Sequence, residues 1–125
     1  GVSVEGFIDL VHIYLQSTLV EYEGNIYRQK KGVCIGSCLA PVLSEIFLLF
    51  VDRAINDQLK KSFQGCLVFR YVDDYLVIYP DAVSADSIFE VFKDCAAGLT
   101  FTRENPSVEG LQFLDLRLHP HPSGV

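Results

Sequence analysis

Apolar positions recur at helical spacing near the start of the chain, where Phe7, Val11, Tyr14 and Leu15 predict a helix over residues 6–19. Two short strand-like runs follow, Val20-Glu21-Tyr22 and Ile26-Tyr27-Arg28. The Glu23-Gly24-Asn25 between them predicts a hairpin with a Gly-Asn turn. Residues 30–36 break the pattern, and Gly32 and Gly36 suit a loop with unusual backbone angles. Ser37 is placed to cap a helix running to about Lys60, with Pro41 tolerated in its first turn. Its apolar stripe is expected at Leu39, Leu43, Ile46, Phe47, Phe50 and Ala54, with Arg53, Asn56, Asp57 and Lys60 on the wet face.

Alternation then replaces helical spacing. Over residues 66–72, Leu67, Phe69 and Tyr71 fall on one side and Val68, Arg70 and Val72 on the other. Residues 75–79 form a second strand, and the intervening Asp73-Asp74 predicts a tight hairpin over residues 66–79. A third helix over residues 84–97 buries Ile88, Val91, Phe92 and Cys95 and stops at Gly98. A short strand at 99–103, a turn at 104–110, a closing strand at 111–118 and a frayed tail at 119–125 complete the pattern. Hairpins covered by long helices predict an α+β fold with an antiparallel sheet, because no β–α–β alternation is present.

The chain has 125 residues, half of them hydrophobic, which suits one domain or part of one and excludes disorder as its main state. The longest apolar run, residues 46–51, ends at Asp52, far short of the roughly 20 residues of a membrane span. No secretory signal segment opens the chain, which begins with Gly and contains no Met, so a piece of a longer protein is expected. Cys34 and Cys38 are separated by three residues and lack the paired spacing of a zinc site, while His119 and His121 each adjoin a Pro. Reduced thiols are therefore expected for all four cysteines, in a protein of the nucleus or cytoplasm that is not secreted.

Two segments carry candidate chemistry. Asp73-Asp74 interrupts a hydrophobic stretch, and two adjacent carboxylates repel each other. They suit either a solvent-exposed turn or a site for a hard divalent cation, which takes oxygen ligands. Residues 32–37 lead from a glycine loop into a helix, an arrangement that can bind phosphate or serve geometry alone. No Lys-Ser or Lys-Thr follows Gly36, so this is not a Walker A loop.

Taken together these segments resemble a known family. Tyr71-Val72-Asp73-Asp74 matches the YxDD box of reverse transcriptases. Upstream, Gln29-Lys30-Lys31-Gly32 and Gly36-Ser37-Cys38-Leu39-Ala40-Pro41 are similar to that family's loop and helix start. Downstream, Leu99-Thr100-Phe101-Thr102-Arg103-Glu104 and Gly110-Leu111-Gln112-Phe113-Leu114-Asp115 are similar to the segment that closes the palm. The resemblance spans residues 6–118 and leans to retrotransposon enzymes of Penelope-like or related non-retroviral lineages.

The resemblance implies a partial polymerase palm in residues 1–125: glycine loop and helix at 29–60, DD hairpin at 66–79, helix at 84–97 and closing strands at 99–118. It implies RNA-directed DNA synthesis with an RNA template, a DNA primer and a deoxynucleoside triphosphate, using two Mg²⁺ ions, for which Mn²⁺ can substitute. Asp73 would be the main metal ligand and Asp74 a neighbouring acidic one. Tyr71 and Val72 would line the primer and nucleotide side. Gly32, Gly36 and Ser37, with Gln29 a weaker contact, would shape the nucleotide and template pocket. The family's fingers, its first catalytic-Asp strand and its thumb have no counterpart here, since residues 1–10 offer only Glu5 and Asp9.

Charge bears on that implication. The chain carries 16 acidic against 10 basic side chains, for a net charge of −6 and a pI near 4.9. Nucleic-acid affinity rests on Lys and Arg neutralising phosphates, so weak binding and no activity are expected of the isolated chain. Its Lys30-Lys31 and Lys60-Lys61 pairs are small. A non-enzymatic retroelement remnant, serving as a binding or structural module, is the alternative reading; another metal-dependent phosphotransferase or nuclease is a third. Loss of one palm strand would leave a sheet edge open, so a marginal monomer or an associating one is expected.

Overall fold

The computed structural model describes residues 1–119, so His121 lies outside the described residues. Among the described residues the fold class is α+β, with three helices and three antiparallel hairpins. The chain divides into two compact units, Gly1–Leu48 and Leu49–Val125.

The first unit opens with helix α1, Val4–Gln16, earlier than the expected 6–19. The Ser3 hydroxyl accepts the Gly6 amide at 3.1 Å and so fixes the start. The Ser17 amide closes on the Ile13 and Tyr14 carbonyls, and the β-branched Thr18 and Val20 beyond it favour a strand. Val11, Tyr14 and Leu15 are half-buried as the spacing predicts, but Phe7 is 62% exposed. Strands β1 (Leu19–Tyr22) and β2 (Asn25–Arg28) pair with Tyr22 opposite Asn25. The turn is therefore Glu23-Gly24, and Asn25 belongs to the strand. Both turn residues have positive φ, 49° and 75°, the sign pattern that matches strand twist in two-residue hairpins.

Helix α2, Ala40–Ser62, begins in the first unit and ends in the second. Its first helical hydrogen bond runs from the Leu43 amide to the Leu39 carbonyl at 3.0 Å, so Leu39 and not Ser37 stands at the cap position. The buried stripe also differs from the expected one. Val51, Ile55 and Leu59 are buried, whereas Phe47 and Phe50 are 49% and 67% exposed. The helix is apolar around much of its circumference, and only the i, i+4, i+8 row that meets its neighbours is covered.

Those neighbours are helix α3 (Ala85–Cys95), which buries Ile88, Val91 and Phe92, and the hairpin of β3 (Leu67–Tyr71) and β4 (Asp74–Ile78). Ser84 caps α3 by accepting the Asp86 amide at 3.2 Å, and Gly98 follows its end at φ 92°. Val68, Tyr75, Val77, Cys95 and Phe101 pack against this core. Tyr75, Phe92 and Phe101 form an edge-to-face triangle with ring centroids 5.2–5.9 Å apart.

Two expected strands are corrected. Residues 99–106 form no strand; Phe101 instead turns into the aromatic triangle and Arg103 pairs with Asp86 at 2.7 Å. Residues 111–118 are not one strand but two, β5 (Leu111–Phe113) and β6 (Leu116–Leu118), folded back at Leu114-Asp115. Each hairpin is a separate two-stranded sheet, so the single antiparallel sheet of the sequence reading is replaced by three small ones. No helix among the described residues is long and apolar enough to cross a membrane, and all four cysteines are free.

Candidate functional site

The Tyr71-Val72-Asp73-Asp74 segment sits at the tip of the β3–β4 hairpin. The register pairs Tyr71 with Asp74, so the two-residue turn is Val72-Asp73, one position earlier than the expected Asp73-Asp74. Asp74 is thus the first residue of β4. Both carboxylates are exposed, as are Tyr71 and Val72. Val72 lies at φ 56°, a region that a β-branched side chain occupies at a cost of roughly 1–3 kcal/mol.

The inner face of the hairpin explains how that turn is held. Arg70 and Tyr75 are cross-strand partners on this face. The Arg70 Nε donates to both Asp52 carboxylate oxygens, at 3.0 and 2.8 Å, and the Tyr75 hydroxyl donates to Asp52 Oδ1 at 2.7 Å. Arg70 Nη1 meanwhile donates to the Val72 carbonyl at 2.8 Å. The Arg70 side chain is only 9% exposed and that of Asp52 22%, so the pair is charge-assisted and largely sheltered from water. The sequence pattern alone assigns neither residue a role. The signal was there in Arg70, a charged residue alternating with Val68 on the inward side, which cannot be buried without a partner.

Asp73 and Asp74 supply hard, ionisable oxygen donors. Mg²⁺ is often held by one or two carboxylates with water and substrate phosphates completing its shell, so the donor set fits such an ion. Among the described residues no three His, Cys, Asp or Glu side chains converge on one metal-sized site.

The glycine loop belongs to the first unit. Gly32 and Gly36 both have positive φ, 77° and 87°, as the loop reading expects. The Gln29 side-chain amide donates to the Lys31 carbonyl at 2.8 Å, and the Ser37 hydroxyl accepts the Leu39 amide at 3.2 Å. Ser37 is also hydrogen-bonded to the Tyr14 hydroxyl. The Tyr14 phenol is pushed above its ordinary value by desolvation first and then by Cys38 and Cys34. Gln29 and Ser37 therefore spend polar groups on the loop's own shape.

No protein-family model and no solved structure matches the chain. The chain is 23% identical over 115 residues to the intron 1 protein of COX1/OXI3 from Saccharomyces cerevisiae, a match that covers 90% of this chain. It spans 14% of that protein's length, so the likeness is to a segment of an intron protein.

Proposed function

We propose that this chain is a palm segment of a retroelement reverse transcriptase, of Penelope-like or related non-retroviral lineage, in which Asp73 and Asp74 hold Mg²⁺. The observation that carries the reading is a braced two-residue turn with two adjacent, exposed carboxylates at its tip. The likeness of 90% of the chain to an intron protein supports an origin in a mobile element. The reaction is attack of a DNA primer 3′-hydroxyl on the α-phosphate of a deoxynucleoside triphosphate, releasing pyrophosphate, on an RNA template. When bound, Mg²⁺ neutralises phosphate charge and eases deprotonation of the hydroxyl. Asp73 is the principal holder of the ion and Asp74 its neighbour, while Tyr71 and Val72 face the primer end. The loop containing Gln29, Gly32, Gly36 and Ser37 shapes the nucleotide side.

The net charge of −6 favours a second reading, a retroelement remnant that keeps the fold without the activity. The reading frame immediately 5′ of Gly1 separates the two. A frame that supplies a strand with a further catalytic Asp supports the polymerase; a stop codon there supports the remnant. In the polypeptide encoded by such a frame, Asp73→Asn abolishes primer extension on RNA, whereas Asp115→Asn leaves it within a few fold. Near-normal extension by the Asp73→Asn enzyme would sink the site assignment.

A further inference from the structure

Val72 needs help to stay where it is. A β-branched residue at φ 56° is disfavoured by its own side chain, and that side chain is exposed, so it gains little from packing there. One group reaches its carbonyl from the inner face: Nη1 of Arg70, at 2.8 Å. Arg70 is in turn fixed through Nε to Asp52, and Asp52 also receives the Tyr75 hydroxyl from the opposite strand. Asp52 adjoins Val51 on the buried row of α2, so the anchor is itself set in the core. A guanidinium is planar and rigid, and its separate N–H groups can satisfy a carboxylate and a carbonyl at once.

We propose that Arg70, clamped by Asp52 and Tyr75, is a positioning residue that holds the Val72-Asp73 turn and so aims the Asp73 carboxylate. The geometry stands alone; its consequence for metal rests on the function proposed above. The brace explains why a turn can carry Val at a position that favours glycine. It also makes the direction of the carboxylate a property of the core of the second unit rather than of the loop tip.

The test uses the full chain, isotope-labelled, with Mn²⁺ as the probe. The three-bond HN–Hα coupling and carbon shifts of Val72 read its φ, and paramagnetic broadening at the Asp73 amide reads metal binding. Arg70→Met is combined with Asp52→Asn, so that no unpaired carboxylate is buried and the Tyr75 hydroxyl keeps an oxygen acceptor. This double variant is expected to lose the positive-φ state of Val72 by about tenfold in population and to bind Mn²⁺ about tenfold more weakly. Adding Val72→Gly is expected to restore Mn²⁺ binding, because glycine enters positive φ unaided. A merely structural Arg70 would not be rescued in this way.

Arg70→Lys, which keeps a cation beside Asp52 but lacks the planar fork, preserves the fold and is expected to weaken the turn in the same direction. Positive φ retained at Val72 in both the double variant and Arg70→Lys would overturn the proposal, as would loss of positive φ with Mn²⁺ binding unchanged. If the native chain shows no broadening at Asp73 while Val72 responds as expected, the brace stands and the metal reading fails.

Discussion

Val72 and Leu114 show the same device twice. Each lies at positive φ, 56° and 53°, each is followed by Asp in a two-residue turn, and each has its carbonyl held by the side chain two residues upstream. Arg70 serves Val72 and Gln112 serves Leu114, at 2.8 and 2.6 Å. In the sequence, Asp73-Asp74 reads as the turn because Asp favours turns, yet the turn falls one residue earlier. The reason is register: a one-residue slip would flip Arg70 or Tyr75 off the inner face and break that residue's hydrogen bonding to Asp52. Val72→Gly removes the backbone strain at an exposed position and should raise stability by about 1 kcal/mol, read as a higher urea midpoint at unchanged slope. Two thiols give a further expectation. Burial pushes Cys66 and Cys95 up, with Asp94 adding at Cys95. The folded state therefore keeps these protons longer than the unfolded chain does. Their contribution is present below the ordinary thiol pKa of about 8.5 and is lost as pH rises through the folded-state values. A Cys66→Ala, Cys95→Ala chain should show a flatter decline in melting temperature above that pH than the native chain.

At the scale of elements, the sequence located all three helices and the first two hairpins, because each has a sharp change of period or a good breaker. Ser84 and Gly98 mark α3 at both ends, and the alternation of Leu67, Phe69 and Tyr71 against Val68 and Arg70 sets the faces of β3. Most of what it did not locate depended on partners distant in sequence. Spacing alone could not choose among the apolar rows of α2, and the row that meets α3 and the hairpin is Val51, Ile55 and Leu59. Phe101 and Arg103 look strand-like in sequence but are drawn to Tyr75 and Phe92 and to Asp86. The Leu114-Asp115 fold-back carries no Gly, Asn-Gly or Pro, so it reads as continuous strand. Ile55→Ala should cost about 3 kcal/mol in denaturant unfolding, since Ile55 is fully buried. Phe50→Ala should cost less than about 1 kcal/mol. The reverse order would return the core to the row first expected.

For the molecule as a whole, the YVDD box and its carboxylates were visible in the sequence as residue types at a fixed spacing. The cluster behind the turn, Asp52, Arg70 and Tyr75, was not visible as a set, because its contacts span 18 and 23 residues and are made only by folding. The chain as a whole is acidic, and α1, β1 and β2 carry large exposed apolar residues, among them Phe7, Ile13, Tyr22 and Ile26. Metal binding at the hairpin tip can be tested on the chain itself. Titration of the isotope-labelled protein with Mn²⁺ should broaden amide signals first at residues 71–75, and Asp73→Asn with Asp74→Asn should remove that response. Broadening spread evenly over the acidic surface, or a response at the hairpin that survives both substitutions, would contradict the account.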